Sequence, residues 1–141
     1  MKSHARRVIP SSVQQVWEAA SNHQGMATWA PGLRVTLDEL GSPEPNGVGA
    51  VRRISAAGPL PDIVERVTNF TPEKSISYEA LAGVPFKNYG GEIRLSASGA
   101  ATRIDYSLRA ERRIPFIEAA LLRLIVQMLA SALARAARRP A

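Results

Sequence analysis

The sequence contains no cysteine. That excludes disulfide scaffolds, thiolate nucleophiles and cysteine zinc sites, and it fits a reducing compartment. Only two histidines are present, His4 and His23. They are too few for most histidine-based metal centres, so no metal and no cofactor is expected. His23 opens a short helical segment and is expected to be exposed. Aromatic residues make up 6% of the chain. Long apolar runs are lacking too. The longest lies within 119–134 and is broken by Arg123 and Gln127, short of the ~20 residues that span a bilayer. No membrane insertion is expected. The basic start, Met1 to Arg7, has no apolar segment behind it. No secretory signal is expected, and the cytoplasm is the expected location.

What is there is ordinary globular material. The chain has 141 residues, 45% hydrophobic and 21% charged. That length fits one domain over residues 1–141. The net charge is +6, from 18 Lys+Arg against 12 Asp+Glu. The cations come in scattered pairs, Arg6-Arg7, Arg52-Arg53, Arg112-Arg113 and Arg138-Arg139. Scattered pairs describe a solvated basic surface, so no specific nucleic-acid partner is expected.

Hydrophobic periodicity divides the chain into ten elements. Residues 2–9 predict a strand closed by Pro10. Ser12 with Gln15 three residues on is a capping-box spacing and starts a helix. Ser21 and Gln24 repeat the spacing and predict a second short helix, stopped by Pro31-Gly32. The period then changes to two. Strands are predicted over 33–40, 48–56, 62–70, 74–82, 89–97 and 101–110, separated by turn residues, as in an antiparallel meander. A long helix is predicted over about 115–137, with Pro115 in its first turn and Glu118 stabilising its N-terminal end. These elements share a core most simply if the sheet curls around the long helix, which leaves space for a ligand between them.

Alternation assigns the strand faces. Ile104, Tyr106 and Leu108 point inward, as do Tyr89, Gly91, Ile93 and Leu95, and Ile76, Tyr78 and Ala80. Two charges fall on inward faces, Arg52 with Ala50 and Ile54, and Glu65 with Ile63 and Val67. A buried charge alone costs several kcal/mol, so the two are expected to pair, either as a structural ion pair or as a polar anchor for a ligand. On the long helix, steps of 100° gather Leu121, Leu122, Ile125, Met128, Leu129, Ala132 and Leu133 on an inner side. Arg123, Gln127, Ala130, Ser131, Ala134 and Arg138 lie opposite. Trp17 is expected in the core. Trp29 belongs either to the core or to the cavity mouth.

The order of Val16-Trp17, Trp29-Ala-Pro-Gly-Leu33, Gly47-Val-Gly-Ala-Val-Arg52, Glu65-Arg66-Val67, Ser77-Tyr78 and Asn88-Tyr89 resembles the START-like superfamily, also called SRPBCC. This is the family of polyketide cyclase/dehydrase and lipid-transport proteins, and the likeness covers about residues 3–135. It implies an α+β helix-grip fold. In that fold a curved antiparallel seven-stranded sheet wraps a long C-terminal helix, with two short helices after the first strand. The stretch from Arg52 to Tyr89 is also similar to the plant abscisic-acid receptors of the superfamily. Ala57-Gly-Pro-Leu-Pro61 stands at their gate loop, and Gly83-Val-Pro-Phe-Lys87 at their latch. The resemblance implies a cavity with a mobile mouth. The receptors' ligand-pairing lysine has no counterpart in residues 33–40, where Arg34 is the only basic residue, so hormone binding is not carried over.

The expected function is binding or transport of a small hydrophobic ligand of lipid, fatty-acid or polyketide type. The candidate ligand-binding residues are Trp29, Arg52, Ile54, Glu65, Val67, Tyr78, Phe86, Tyr89, Ile93, Tyr106, Leu121, Ile125, Met128 and Leu129. The sequence shows no nucleophile paired with a base and no Gly-x-Ser-x-Gly elbow. An enzymatic alternative is a polyketide cyclase, aromatase or dehydratase, with Tyr89 and Glu65 as catalytic candidates for proton transfer. A third alternative is a regulatory protein that acts through a macromolecular partner.

Overall fold

A computed structural model describes residues 1–111 and 117–138. The chain runs β1 (Lys2–Ile9), α1 (Val13–Ser21), a 3-10 helix (Gln24–Trp29), β2 (Arg34–Glu39), β3 (Val51–Ser55), β4 (Ile63–Thr71), β5 (Ser75–Ala82), β6 (Lys87–Ser98), β7 (Ala101–Glu111) and α2 (Ile117–Arg138). All seven strands form one antiparallel sheet in the order β1-β7-β6-β5-β4-β3-β2. This is the expected helix-grip architecture. Pro115, expected in the first turn of the long helix, lies outside the described residues, whereas Glu118 does stand in the first described turn of α2.

Turn chemistry sets the meander. Thr71 to Ser75 carries Glu73 at φ 62°, and the β6–β7 hairpin turns on Gly99 at φ 61°. The pleat then places the apolar set inward as alternation predicts. Ile104, Tyr106, Leu108, Ile76, Tyr78, Ile93 and Leu95 are all buried.

Two local expectations need correction. The Ser12 hydroxyl accepts the Gln15 backbone N–H at 3.1 Å, but the Gln15 amide does not complete the box. It donates to the Ala137 carbonyl of α2 at 3.0 Å instead. Ser21 caps nothing, because its hydroxyl bonds back to the Trp17 carbonyl at 2.7 Å. The following segment forms a 3-10 helix, entered through Asn22, whose Oδ1 accepts the Gly25 N–H at 3.1 Å.

The face of α2 also differs from the sequence expectation. Its buried stripe is Leu122, Val126, Ala130, Leu133 and Ala137, with Ala134 beside it. Ala130 and Ala134 were expected on the outer side, whereas Leu121 and Met128 of the expected inner side are 39% and 61% exposed. Small residues explain the rotation. Alanines let α2 approach α1, β1 and β7, on which it packs, and the bulkier side chains are turned towards open space. The length and composition of α2 are also enough to cross a bilayer, contrary to the sequence expectation. In this fold its alanine-rich stripe is part of the domain core.

Candidate functional site

α2 packs on β1, β7, α1 and the 3-10 helix, and it stands off from the other half of the sheet. Between that half and α2 lies a cavity of about 560 Å³, within the range of small-molecule sites. One wall is Ile54 of β3, Ile63 and Glu65 of β4, Tyr78 of β5 and Tyr89 of β6. The 3-10 helix and the residues after it supply Met26, Trp29, Ala30 and Leu33, and the β5–β6 loop supplies Val84. The α2 wall is Ile125, Met128, Leu129 and Ala132, with Gln127, Ser131 and Arg135.

Eight of the fourteen candidate ligand-binding residues line this space: Trp29, Ile54, Glu65, Tyr78, Tyr89, Ile125, Met128 and Leu129. Trp29 is both core and wall, at 8% exposure. Val67, Ile93 and Tyr106 are buried in the core and do not line the cavity. Phe86 stands behind Tyr89, with its ring stacked at 5.8 Å and 16°. Leu121 lies further along α2 than the cavity reaches. Residues 57–61, the gate-like loop, do not line the cavity, and Leu60 is exposed. Ile63, placed on the inward face by alternation, also lines the cavity, whereas Met26, Leu33 and Val84 went unnoticed because each lies in or beside an irregular segment, where alternation assigns no face.

Arg52 stands behind the wall and organises its polar part. Its Nε donates to Glu65 Oε1 at 2.8 Å and its Nη2 reaches the same oxygen at 2.7 Å. The β3–β4 register sets Arg52 opposite Glu65, so the expected pair exists. Its guanidinium carbon lies 4.6 Å from the Tyr78 ring centroid, a cation–π contact. The Tyr78 and Tyr106 hydroxyls are 2.7 Å apart. Burial raises the pKa of all three phenols, Tyr78, Tyr89 and Tyr106, that of Tyr106 to about 12. They therefore stay neutral near pH 7 and serve as hydrogen-bonding groups.

His23, expected to be exposed, is fully buried. Its Nδ1 faces Arg52 Nη1 at 3.1 Å and its Nε2 faces the Asn46 carbonyl at 2.8 Å. Arg52 can only donate and a carbonyl can only accept. The two partners thus fix the neutral tautomer with the proton on Nε2. Its partners lie far off in sequence, so no local pattern announced the contact.

This environment makes a pH prediction. Burial first, and the Arg52 charge second, push His23 down to about 4 from 6.5, against the opposing Asn46 bond. The unfolded chain takes up this proton below about pH 6.5, the folded chain only below about 4. Stability from this group is therefore complete above pH 6.5 and lost as pH falls towards 4, by about 3 kcal/mol in all. Urea unfolding from pH 7 to 4 should show that loss in the wild type. In His23→Gln the same interval should be flatter by a similar amount.

The comparisons place this geometry in a wider group. The family model described as polyketide cyclase/dehydrase and lipid transport matches residues 1–140. A comparison with curated proteins finds no match. Among solved structures, the chain is similar to a START superfamily protein from Mycobacterium smegmatis, at TM-score 0.77 and 13% identity over 95% of this chain and 94% of that one. It is similar to Ara h 8.0201 at TM-score 0.75 and 12% identity, over 97% and 94%. A protein from Nitrosospira multiformis aligns at TM-score 0.73 and 21% identity, over 96% and 94%. At such identities the structures show a shared fold and no shared ligand. The family model spans nearly every residue, and the strand order and long C-terminal helix agree with it. The chain belongs to the polyketide cyclase/dehydrase and lipid transport family, with the START-like fold of the SRPBCC superfamily.

Proposed function

We propose that the protein binds and carries a small hydrophobic molecule of lipid or polyketide type in the cavity between sheet and α2, in the cytoplasm. The observation that carries this reading is the cavity itself, about 560 Å³ with walls of Met26, Trp29, Leu33, Ile54, Ile63, Ile125 and Leu129. A space of that size lined by such side chains is costly to leave to water and favourable to fill with an apolar ligand. The half-buried and exposed side chains of α2, Met128 above all, give its rim an adaptable surface.

Native mass spectrometry of gently purified protein tests the reading. A discrete adduct of lipid or polyketide size is the expected result. Ala132 lines the cavity from α2, and Ala132→Trp should fill the space and remove the adduct while the circular dichroism spectrum is kept. Wild-type protein that takes up no apolar compound from a panel of sterols, flavonoids and naphthalenes would end the proposal.

A second reading has one specific observation in its favour. Glu65 and Tyr89 border the same cavity, as a carboxylate and a neutral phenol suited to proton transfer and hydrogen bonding in cyclisation or dehydration of a polyketide-type substrate. Loss of turnover with retained binding in Glu65→Gln or Tyr89→Phe would favour chemistry. Parallel loss of both would favour carriage.

A further inference from the structure

The cavity is asymmetric in a way that restricts its occupant. Its polar groups fall into two sets. Glu65, Tyr78 and Tyr89 are buried, at 4%, 2% and 5% exposure. Gln127, Ser131 and Arg135 belong to α2, and Arg135 is exposed on the last turn. The buried end is therefore acidic and phenolic, and the only cation among the cavity-lining residues stands at the exposed rim.

Arg52 does not alter that polarity for a ligand. It lies behind Glu65 and is already occupied by the carboxylate, by His23 and by the face of Tyr78. Both of its contacts to Glu65 fall on Oε1. Among the described residues no buried side-chain nitrogen or oxygen lacks a partner. Oε2 takes none of these bonds, so it is the oxygen that borders the cavity. A carboxylate oxygen only accepts. A donor that reaches it makes a charge-assisted bond, whereas an ether or carbonyl there gains nothing and displaces whatever solvated the oxygen.

We infer that the buried end of the cavity selects a ligand carrying a hydrogen-bond donor, a phenol or alcohol hydroxyl, which bonds to Glu65 Oε2 beside Tyr89. This rests on the ligand-binding reading above and narrows it. The ligand is a hydroxylated apolar molecule inserted hydroxyl first. An acid group, where one is present, points outward to Arg135.

Two neutral probes of one shape test this without involving the rim cation. 2-Naphthol has the donor, and 2-methoxynaphthalene has the same rings and oxygen without it. Isothermal titration is expected to show 2-naphthol binding to wild-type protein about tenfold tighter, the scale of one hydrogen bond to a charged group. Glu65→Gln keeps the shape and removes the charge, and it should shrink that ratio to about threefold or less. Equal affinities for wild-type protein would overturn the inference, and the wild-type pair decides this even if the variant fails to fold. A ratio unchanged in Glu65→Gln would also overturn it, placing the donor on a phenol. Binding of neither probe, nor of the wider apolar panel, would remove the ligand-binding reading itself.

Discussion

Arg52→Met is expected to lower the free energy of unfolding by about 3–5 kcal/mol, the range for breaking a buried pair from one side. Arg52 and Glu65 are 5% and 4% exposed, so water does little to replace a lost partner. The variant loses the two contacts to Glu65 Oε1, the Nη1 contact to His23 and the cation–π contact to Tyr78. What remains is a carboxylate in an apolar wall with no cation. The pair itself is a poor source of net stability, since both charges were desolvated to make it. Arg52→Met/Glu65→Leu should therefore recover most of the deficit. Chemical denaturation of the wild type, both single variants and the double variant measures this. A double variant as unstable as Arg52→Met would place the loss in packing around Tyr78 and His23 rather than in the stranded charge.

Gly91→Ala is expected to cost about 2–4 kcal/mol, from overpacking and from a broken buried hydrogen bond. Gly91 lies opposite Tyr78 in the β5–β6 register. A Cβ at this position would overlap the Tyr78 ring and hydroxyl. The ring has no easy retreat, because its hydroxyl is tied to Tyr106 and its ring lies against Arg52. The same displacement should weaken ligand uptake, since Tyr78 is part of the cavity wall. In a Tyr78→Ala background the three closest atoms are gone, and Gly91→Ala should then cost much less. Thermal unfolding of the two pairs reads the coupling directly.

Much of the sheet was legible because each signal was local. Gly99 and the Thr71-Pro72-Glu73 turn set the hairpins, and period-two runs set which residues point inward. Arg52 and Glu65 could be paired from sequence because alternation and a hairpin together leave few choices. The helix was harder. α2 has a core side and a cavity side, and a hydrophobic wheel centred on its largest residues finds the second and misses Ala130, Ala134 and Ala137 of the first. His23 carried no signal of its own. Its burial is decided by Arg52 and Asn46, which only the assembled fold brings to it. Val67, Ile93 and Tyr106 were correctly placed inward, but facing inward is not the same as lining the cavity. In the structure they belong to the buried core and not to the cavity lining.

The pairing of β1 with β7 governs how the chain reaches this state. Their register joins Lys2 to Arg109 and Ile9 to Thr102, contacts that close loops of roughly a hundred residues and make for slow assembly. During synthesis β1 emerges first and waits for its only strand partner until nearly the whole sheet has followed. Meanwhile β2 to β6 can zip through neighbouring hairpins. Ala5 and Ile9, buried in the finished domain, remain uncovered in the interval, and unpaired apolar strand edges are where chains associate wrongly. The exposed cations Lys2 and Arg6 on the outer face of β1 then act as gatekeepers of the nascent chain, repelling a second copy until β7 arrives.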